Sequence, residues 1–164
     1  MNKYYEDRLN IIQLNLSLTF ELQSSKIDKN TVFFDENEKE IKIAQIVSRG
    51  PYLIFKYSNL NCEVCVDEQI SLLKYAKELI GVTKILIITN YSSYGELSRF
   101  QRLNQLDDFK ILNLKNNELT SVDKSFPYYF ILDESYSLKQ LYVPIRGDSL
   151  ITKEYFNNSL KKYF

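Results

Sequence analysis

The chain has no histidine, no tryptophan, one methionine and two cysteines in 164 residues. Without histidine there is no Ser-His-Asp or Cys-His catalysis and no His-ligated metal. Two cysteines alone cannot close a four-ligand zinc site of the usual N/S kind within one chain. No metal and no cofactor is therefore expected, and only a zinc shared between two chains stays open. The 21 basic and 21 acidic residues leave a formal net charge of zero. Nucleic-acid binding usually rests on a basic excess, so no nucleic-acid partner is expected. No stretch reaches the ~18 to 20 apolar residues of a membrane span. Residues 1–22 also lack the continuous apolar segment of a signal peptide. A membrane anchor outside this chain stays open, since what precedes Met1 in the native gene is not legible here.

What is present suits a soluble globular protein. The length fits a single domain over residues 1–164, with 1–47 as an N-terminal extension and 48–164 as a regular core. Tyr5, Leu9, Ile12, Leu16 and Phe20 form a helical stripe. Residues 13–22 also alternate as a strand would and stay undecided. Residues 31–34 and 41–43 read as two short strands around a charged turn. Beyond Arg49-Gly50-Pro51 the pattern becomes regular. A strand over 52–57 precedes a helix over 63–80, with Val66, Ile70, Leu73, Ala76, Lys77 and Ile80 on one face and Gly81 as its stop. Residues 84–89 make a buried strand. Ser92 or Ser93 caps a helix running to about Leu106. A strand at 110–114, a hairpin over 128–132 and 138–143, and a helix over 149–163 follow. Strands alternating with helices imply parallel pairing through right-handed crossovers. The expected fold class is α/β, a central mixed sheet flanked by helices.

The two cysteines, Cys62 and Cys65, stand at the head of the 63–80 helix. The i, i+3 spacing lets their sulfurs meet, and unpaired helix amides favour a thiolate there. They form the one constellation in the sequence able to carry redox chemistry, unless they are an inert disulfide or two buried thiols. Glu63, Asp67 and Glu68 oppose a nearby thiolate while the helix end favours it. Cys62 is thus expected to stay near the ordinary thiol value, which makes the pair a mild reductant. Glu68, three residues beyond Cys65, could carry a proton or simply be a surface carboxylate. Lys56 could offset the local acids, though extension of its amine to solvent is the favoured reading.

The order of elements, the Cys62-Glu63-Val64-Cys65-Val66-Asp67-Glu68 segment and the Ser125-Phe126-Pro127-Tyr128-Tyr129-Phe130-Ile131-Leu132-Asp133 segment resemble the thioredoxin superfamily. The TlpA/ResA-like thiol–disulfide oxidoreductases of bacterial envelopes are the nearer likeness, including a Bacteroidetes branch. The likeness covers roughly residues 48–164. It implies a thioredoxin-like fold, with Cys62 attacking, Cys65 resolving and Glu68 assisting protons. It further implies a cis Phe126–Pro127 bond that shapes a substrate cleft, with Asn61, Phe126 and Pro127 as substrate-binding residues. Tyr128 and Tyr129 could line the same groove, one of them facing inward. The implied partners are protein thiols and disulfides and an electron-donor protein. The implied location is periplasmic or membrane-anchored facing the periplasm. The family commonly has Trp where Asn61 stands, Pro where Val64 stands and, in wider relatives, a buried acid where Lys56 stands. A redox-inactive binding module that docks a peptide or assembly partner is therefore the alternative. Peroxide reduction of the peroxiredoxin kind is weaker, because no suitable Arg and Thr lie near Cys62.

Overall fold

The computed structural model describes residues 2–22, 25–47, 50–61, 63–114, 119–120, 123 and 125–164, with only the backbone of Glu63. In chain order the elements are α1 (Lys3–Leu22), β1 (Val32–Phe34), β2 (Glu40–Lys42), α2 (Ile43–Val47), β3 (Tyr52–Lys56) and α3 (Glu63–Ile80). A single 3-10 turn (Val82–Lys84) leads into β4 (Ile85–Thr89), α4 (Tyr94–Leu103), β5 (Lys110–Asn113), β6 (Tyr128–Leu132), β7 (Leu138–Tyr142) and α5 (Ser149–Tyr163). The seven strands form one sheet in the order β2-β1-β5-β4-β3-β6-β7. Strands β3, β4 and β5 run parallel, while β6, β7, β1 and β2 pair antiparallel to their neighbours. This is the expected mixed α/β sheet, and the N-terminal segment adds two strands to one edge of it.

Strand periodicity divides the core in two. Leu53 and Phe55 of β3 join Ile85 and Ile87 of β4 in a core covered by α3, α4 and α5. Tyr52 and Ile54 join Leu86 and Ile88 on the other face, under α1 and α2. Both crossover helices lie on one face, as successive right-handed β–α–β units require when the strands advance in one direction. Helix α3 buries Val66, Ile70, Leu73 and Ala76, as its periodicity predicts. It ends where Gly81, at φ 80°, turns the chain and donates its amide to the Lys77 carbonyl. Ser93 caps α4 by accepting the Glu96 amide.

Helix α1 resolves the ambiguity of residues 13–22, which are helical throughout. Its packing differs from expectation. The stripe Tyr5, Leu9, Ile12, Leu16 and Phe20 faces solvent. The opposite stripe, Ile11, Leu14, Leu18 and Leu22, packs on the sheet. Polar contacts choose this face. The Asn15 carboxamide donates to the Val143 carbonyl at 2.8 Å and accepts the Val143 amide at 2.6 Å. Arg8 pairs with Asp148 at 2.7 Å. Val143 is fully buried, so its peptide groups need these partners. Asn15→Ala is expected to destabilise by about 2–3 kcal/mol, two buried backbone groups having lost their bonds. Phe20→Ser, on the exposed stripe, should stay within about 0.5 kcal/mol of wild type. Urea unfolding compares the two directly.

Two short elements also depart from the sequence reading. Residues 40–42 form β2, and Ile43 begins helix α2 rather than ending a strand. Ile43, Ile46 and Val47 are buried, so the helix turns an apolar patch onto the second core. The β6–β7 hairpin forms as expected. Asp133 closes it, accepting the Ser135 and Ser137 amides and the Ser135 hydroxyl, with Lys139 at 4.0 Å. Burial alone would raise its carboxyl. The bonds from Ser135 and Ser137, aided by Lys139, hold it below the usual value of 3.8. A depressed carboxylate stabilises the fold above its unfolded value, and that contribution is lost as pH falls through the folded value. Asp133→Asn keeps an acceptor but does not titrate. It should lower stability at neutral pH by less than about 1 kcal/mol, given solvent screening. It should also flatten the decline in stability below about pH 4. Thermal melts across pH 2–7 read both effects.

Candidate active site

The loop after β3 carries the chain to the head of α3. Ser58 and Asn61 shape it. The Asn61 amide donates to the Ser58 carbonyl at 2.9 Å, and the Asn61 carboxamide accepts the Ser58 amide at 2.6 Å. The Ser58 hydroxyl accepts the Leu60 amide, and Asn90 accepts the Asn59 amide. These bonds fix the backbone immediately before the first cysteine. Cys62 itself lies outside the described residues. Cys65 is half-buried in the first turn of α3.

A cavity of about 330 Å³ opens beside Cys65. Helix α3 contributes Cys65, Glu68 and Gln69 to its wall, and Phe126 and Pro127 come from the segment entering β6. Four of the residues singled out in the sequence thus meet around one cavity. Asn61 does not line it; its side chain turns back onto Ser58. Glu68 is held by the Gly147 amide, which donates to Oε2 at 3.1 Å. Beneath Gln69, the Tyr129 hydroxyl donates to the Gln69 carbonyl at 3.2 Å. Burial pushes the Tyr129 phenol well above its ordinary value of 10.0, so it stays a donor.

Several expectations are corrected. Among the described residues no peptide bond is cis, so the Phe126–Pro127 bond is trans. The trans isomer is intrinsically favoured at X–Pro by about 0.5–1 kcal/mol. Pro127 stands just ahead of β6, where its lack of an N–H removes no ladder bond. Tyr128 and Tyr129 do not line a groove, because both are fully buried. Strand β6 is covered on both faces, so alternation sends each ring into one of the two cores. Lys56 does not reach solvent either. It is 1% exposed and lies 3.4 Å from Asp123, while also donating to the Tyr57 carbonyl. Asp123 accepts in addition from the Leu119 and Thr120 amides, the Thr120 hydroxyl and the Tyr128 hydroxyl. Burial, reinforced by the Asp123 charge, keeps the Tyr128 phenol protonated. A charged side chain inside a strand buried at every position, Tyr52–Lys56, was a legible sign of a buried partner.

The remaining wall was not foreseen. Helix α1 supplies Asp7, Asn10 and Ile11, and the chain after β7 supplies Pro144 and Arg146. No motif marks these residues. They reach the cavity because Asn15 and Arg8 dock α1 against the segment 143–148.

No family model and no curated protein matches the chain. Solved structures share its fold. A Chlorobium tepidum protein described as a thiol:disulfide interchange protein DsbE aligns with a TM-score of 0.61 at 11% identity, over 83% of this chain and 97% of that one. The thioredoxin domain of a thiol-disulfide oxidoreductase from Bacteroides vulgatus aligns with a TM-score of 0.59 at 11% identity, over 81% of this chain and 92% of that one. An exposed lipoprotein thioredoxin from Streptococcus pneumoniae aligns with a TM-score of 0.54 at 12% identity, over 76% of this chain and 96% of that one. At these identities the likeness is one of fold.

Proposed function

Starting from the thioredoxin-like fold that the chain shares with these structures, we propose that it is a TlpA/ResA-like thiol–disulfide oxidoreductase, reducing protein disulfides outside the cytoplasm. One observation supports this reading above the others: Cys65, Glu68, Phe126 and Pro127 line a single cavity at the head of α3. In the proposed cycle the Cys62 thiolate attacks one sulfur of a substrate disulfide. The substrate S–S bond breaks, a mixed disulfide forms, and the departing substrate thiolate takes a proton. The Cys65 thiol gives its proton to the Glu68 carboxylate, directly or through water. Cys65 then attacks the Cys62 sulfur, releasing the second substrate thiol and leaving a Cys62–Cys65 disulfide. Two electrons pass to the substrate, and a donor protein's dithiol restores the pair. Phe126 and Pro127 form the cleft wall against which the substrate chain lies, and Asn61 shapes the turn that presents Cys62.

The extracytoplasmic location draws support from the exposed lipoprotein thioredoxin and the DsbE-like neighbour. Among the described residues no helix is long and apolar enough to cross a membrane, so anchoring would fall to a segment outside them. The test is to equilibrate the protein in dithiothreitol redox buffers, count free thiols by alkylation and mass, and follow insulin reduction. A reversible two-electron couple with turnover supports the enzyme. Cysteines that never cycle would leave a thioredoxin-like module that binds without turnover.

A further inference from the structure

Helix α1 turns an apolar stripe to solvent. Tyr5, Leu9, Ile12, Leu16 and Phe20 are between 45% and 73% exposed, while the opposite side of the helix docks on the sheet. The steps from Tyr5 to Leu9, Ile12 and Leu16 are four, three and four residues, the repeat of a coiled-coil seam. The stripe also has the same order in both directions: aromatic, leucine, isoleucine, leucine, aromatic. Two copies set antiparallel about a twofold axis at Ile12 place Leu9 against Leu16, Tyr5 against Phe20 and Ile12 against itself. Such self-complementarity is what an isologous interface requires. Residues 9–20 carry no charge, so a twofold axis there opposes no like charges.

The area suffices for a reversible contact. At about 200 Å² for a fully exposed large apolar side chain, the stripe offers roughly 500 Å² per copy. Pairing then buries about 1,000 Å², the lower bound of a specific interface. A lipid surface fits less well. Helices that lie in a membrane surface are rich in Lys and Arg on their polar face. Here Lys3 and Arg8 are outnumbered by Glu6, Asp7 and Glu21, and Arg8 is engaged by Asp148.

We propose that α1 forms a symmetric homodimer, two copies pairing antiparallel along this stripe. Ile11, which lines the cavity beside Cys65, belongs to the docked side of the helix, so pairing does not depend on the disulfide-exchange chemistry.

Sedimentation velocity of the full chain over about 1–300 μM tests this, with an expected dissociation constant on the order of 10–100 μM. Unfolding measured at about 1 μM, below that range, reports the monomer, in which changes on the stripe stay near neutral. Ile12→Glu sets two carboxylates against each other at the axis and should weaken association at least tenfold. Leu9→Glu and Leu16→Lys should each weaken it about tenfold, and an equimolar mixture of the two should recover most of the loss, because antiparallel pairing sets position 9 against position 16. Leu16→Ser is the milder change on the same face and should weaken association several-fold, with far-ultraviolet circular dichroism confirming that each variant is folded. A wild-type chain that stays monomeric throughout overturns the dimer. So does association that survives Ile12→Glu and Leu16→Ser, which would place the contact on another face. A mixture that associates no better than its parts overturns the antiparallel pairing. Monomers that co-float with phosphatidylglycerol vesicles, and cease to with Leu16→Ser, would give the stripe to a lipid surface instead.

Discussion

Cys62→Ser is expected to bring insulin reduction down to the uncatalysed rate, whereas Cys65→Ser should stall the reaction one step later. A serine hydroxyl at position 62 supplies no thiolate at neutral pH, so the mixed disulfide never forms. Serine at position 65 leaves the attack intact and removes the thiol that resolves it. Substrate should then accumulate covalently on Cys62, visible by mass spectrometry and released by dithiothreitol. This asymmetry assigns the roles, because the reverse pattern would make Cys65 the attacking thiol. If both variants retain wild-type turnover, the reduction does not pass through these cysteines at all. A second measurement bears on redox strength. The sequence sets the carboxylates of Glu63, Asp67 and Glu68 close behind Cys62, a pattern that disfavours a thiolate, so the Cys62 thiolate is expected, by ultraviolet absorbance, only near ordinary thiol values. A strongly acidic transition would instead mark an oxidant.

The parts of the fold legible in the sequence were those governed by local periodicity. The i, i+3 and i+4 spacing of Val66, Ile70 and Leu73 gives α3 its buried face, and the unbroken run Ile85–Thr89 gives a fully buried strand. Gly81 and Ser93 mark helix ends through their own backbone and side-chain chemistry. Tertiary choices were less legible. Helix α1 carries apolar residues on two sides, and periodicity alone picked out the stripe through Leu16 and Phe20. What docks the other side is the Asn15–Val143 pair, which joins residues 128 positions apart. The cavity followed the same rule. Cys65, Glu68 and the Phe126–Pro127 segment could be singled out by type and spacing. Asp7, Asn10 and Arg146 enter through α1 docking, for which the local sequence has no signature. Lys56 is the instructive case, since its charge was visible within an apolar strand but its partner, Asp123, was not.

Asp123→Ala is expected to destabilise the fold by about 3–5 kcal/mol, more than Lys56→Met. The two sides of the pair are unequally supported. Asp123 accepts from Leu119, Thr120 and Tyr128, as well as facing Lys56 at 3.4 Å. With methionine at position 56 the carboxylate keeps those donors, and the methionine fills the volume of the lysine stem. With alanine at position 123 the Lys56 ammonium retains its bond to the Tyr57 carbonyl but loses a counter-charge in a site that is 1% exposed. The Tyr128 hydroxyl and the Leu119 and Thr120 amides lose an acceptor at the same time, and this adds to the loss. Because the two residues interact directly, Lys56→Met combined with Asp123→Asn should be less destabilised than the sum of the single changes. Urea unfolding at neutral pH gives all four corners of that cycle. Additive effects would mean that the carboxylate acts through Leu119, Thr120 and Tyr128 rather than through Lys56, and that Lys56 is neutral or otherwise compensated. A clear coupling has a functional corollary. Asp123 lies four residues before Pro127, so its network ties down the segment that carries Phe126 and Pro127 into the cavity wall. At a temperature where Asp123→Asn is still folded, it should raise KM for insulin more than it lowers kcat, because a looser wall weakens substrate binding before it touches the sulfur chemistry. Lys56→Met, whose carboxylate stays hydrogen-bonded, should leave KM close to wild type.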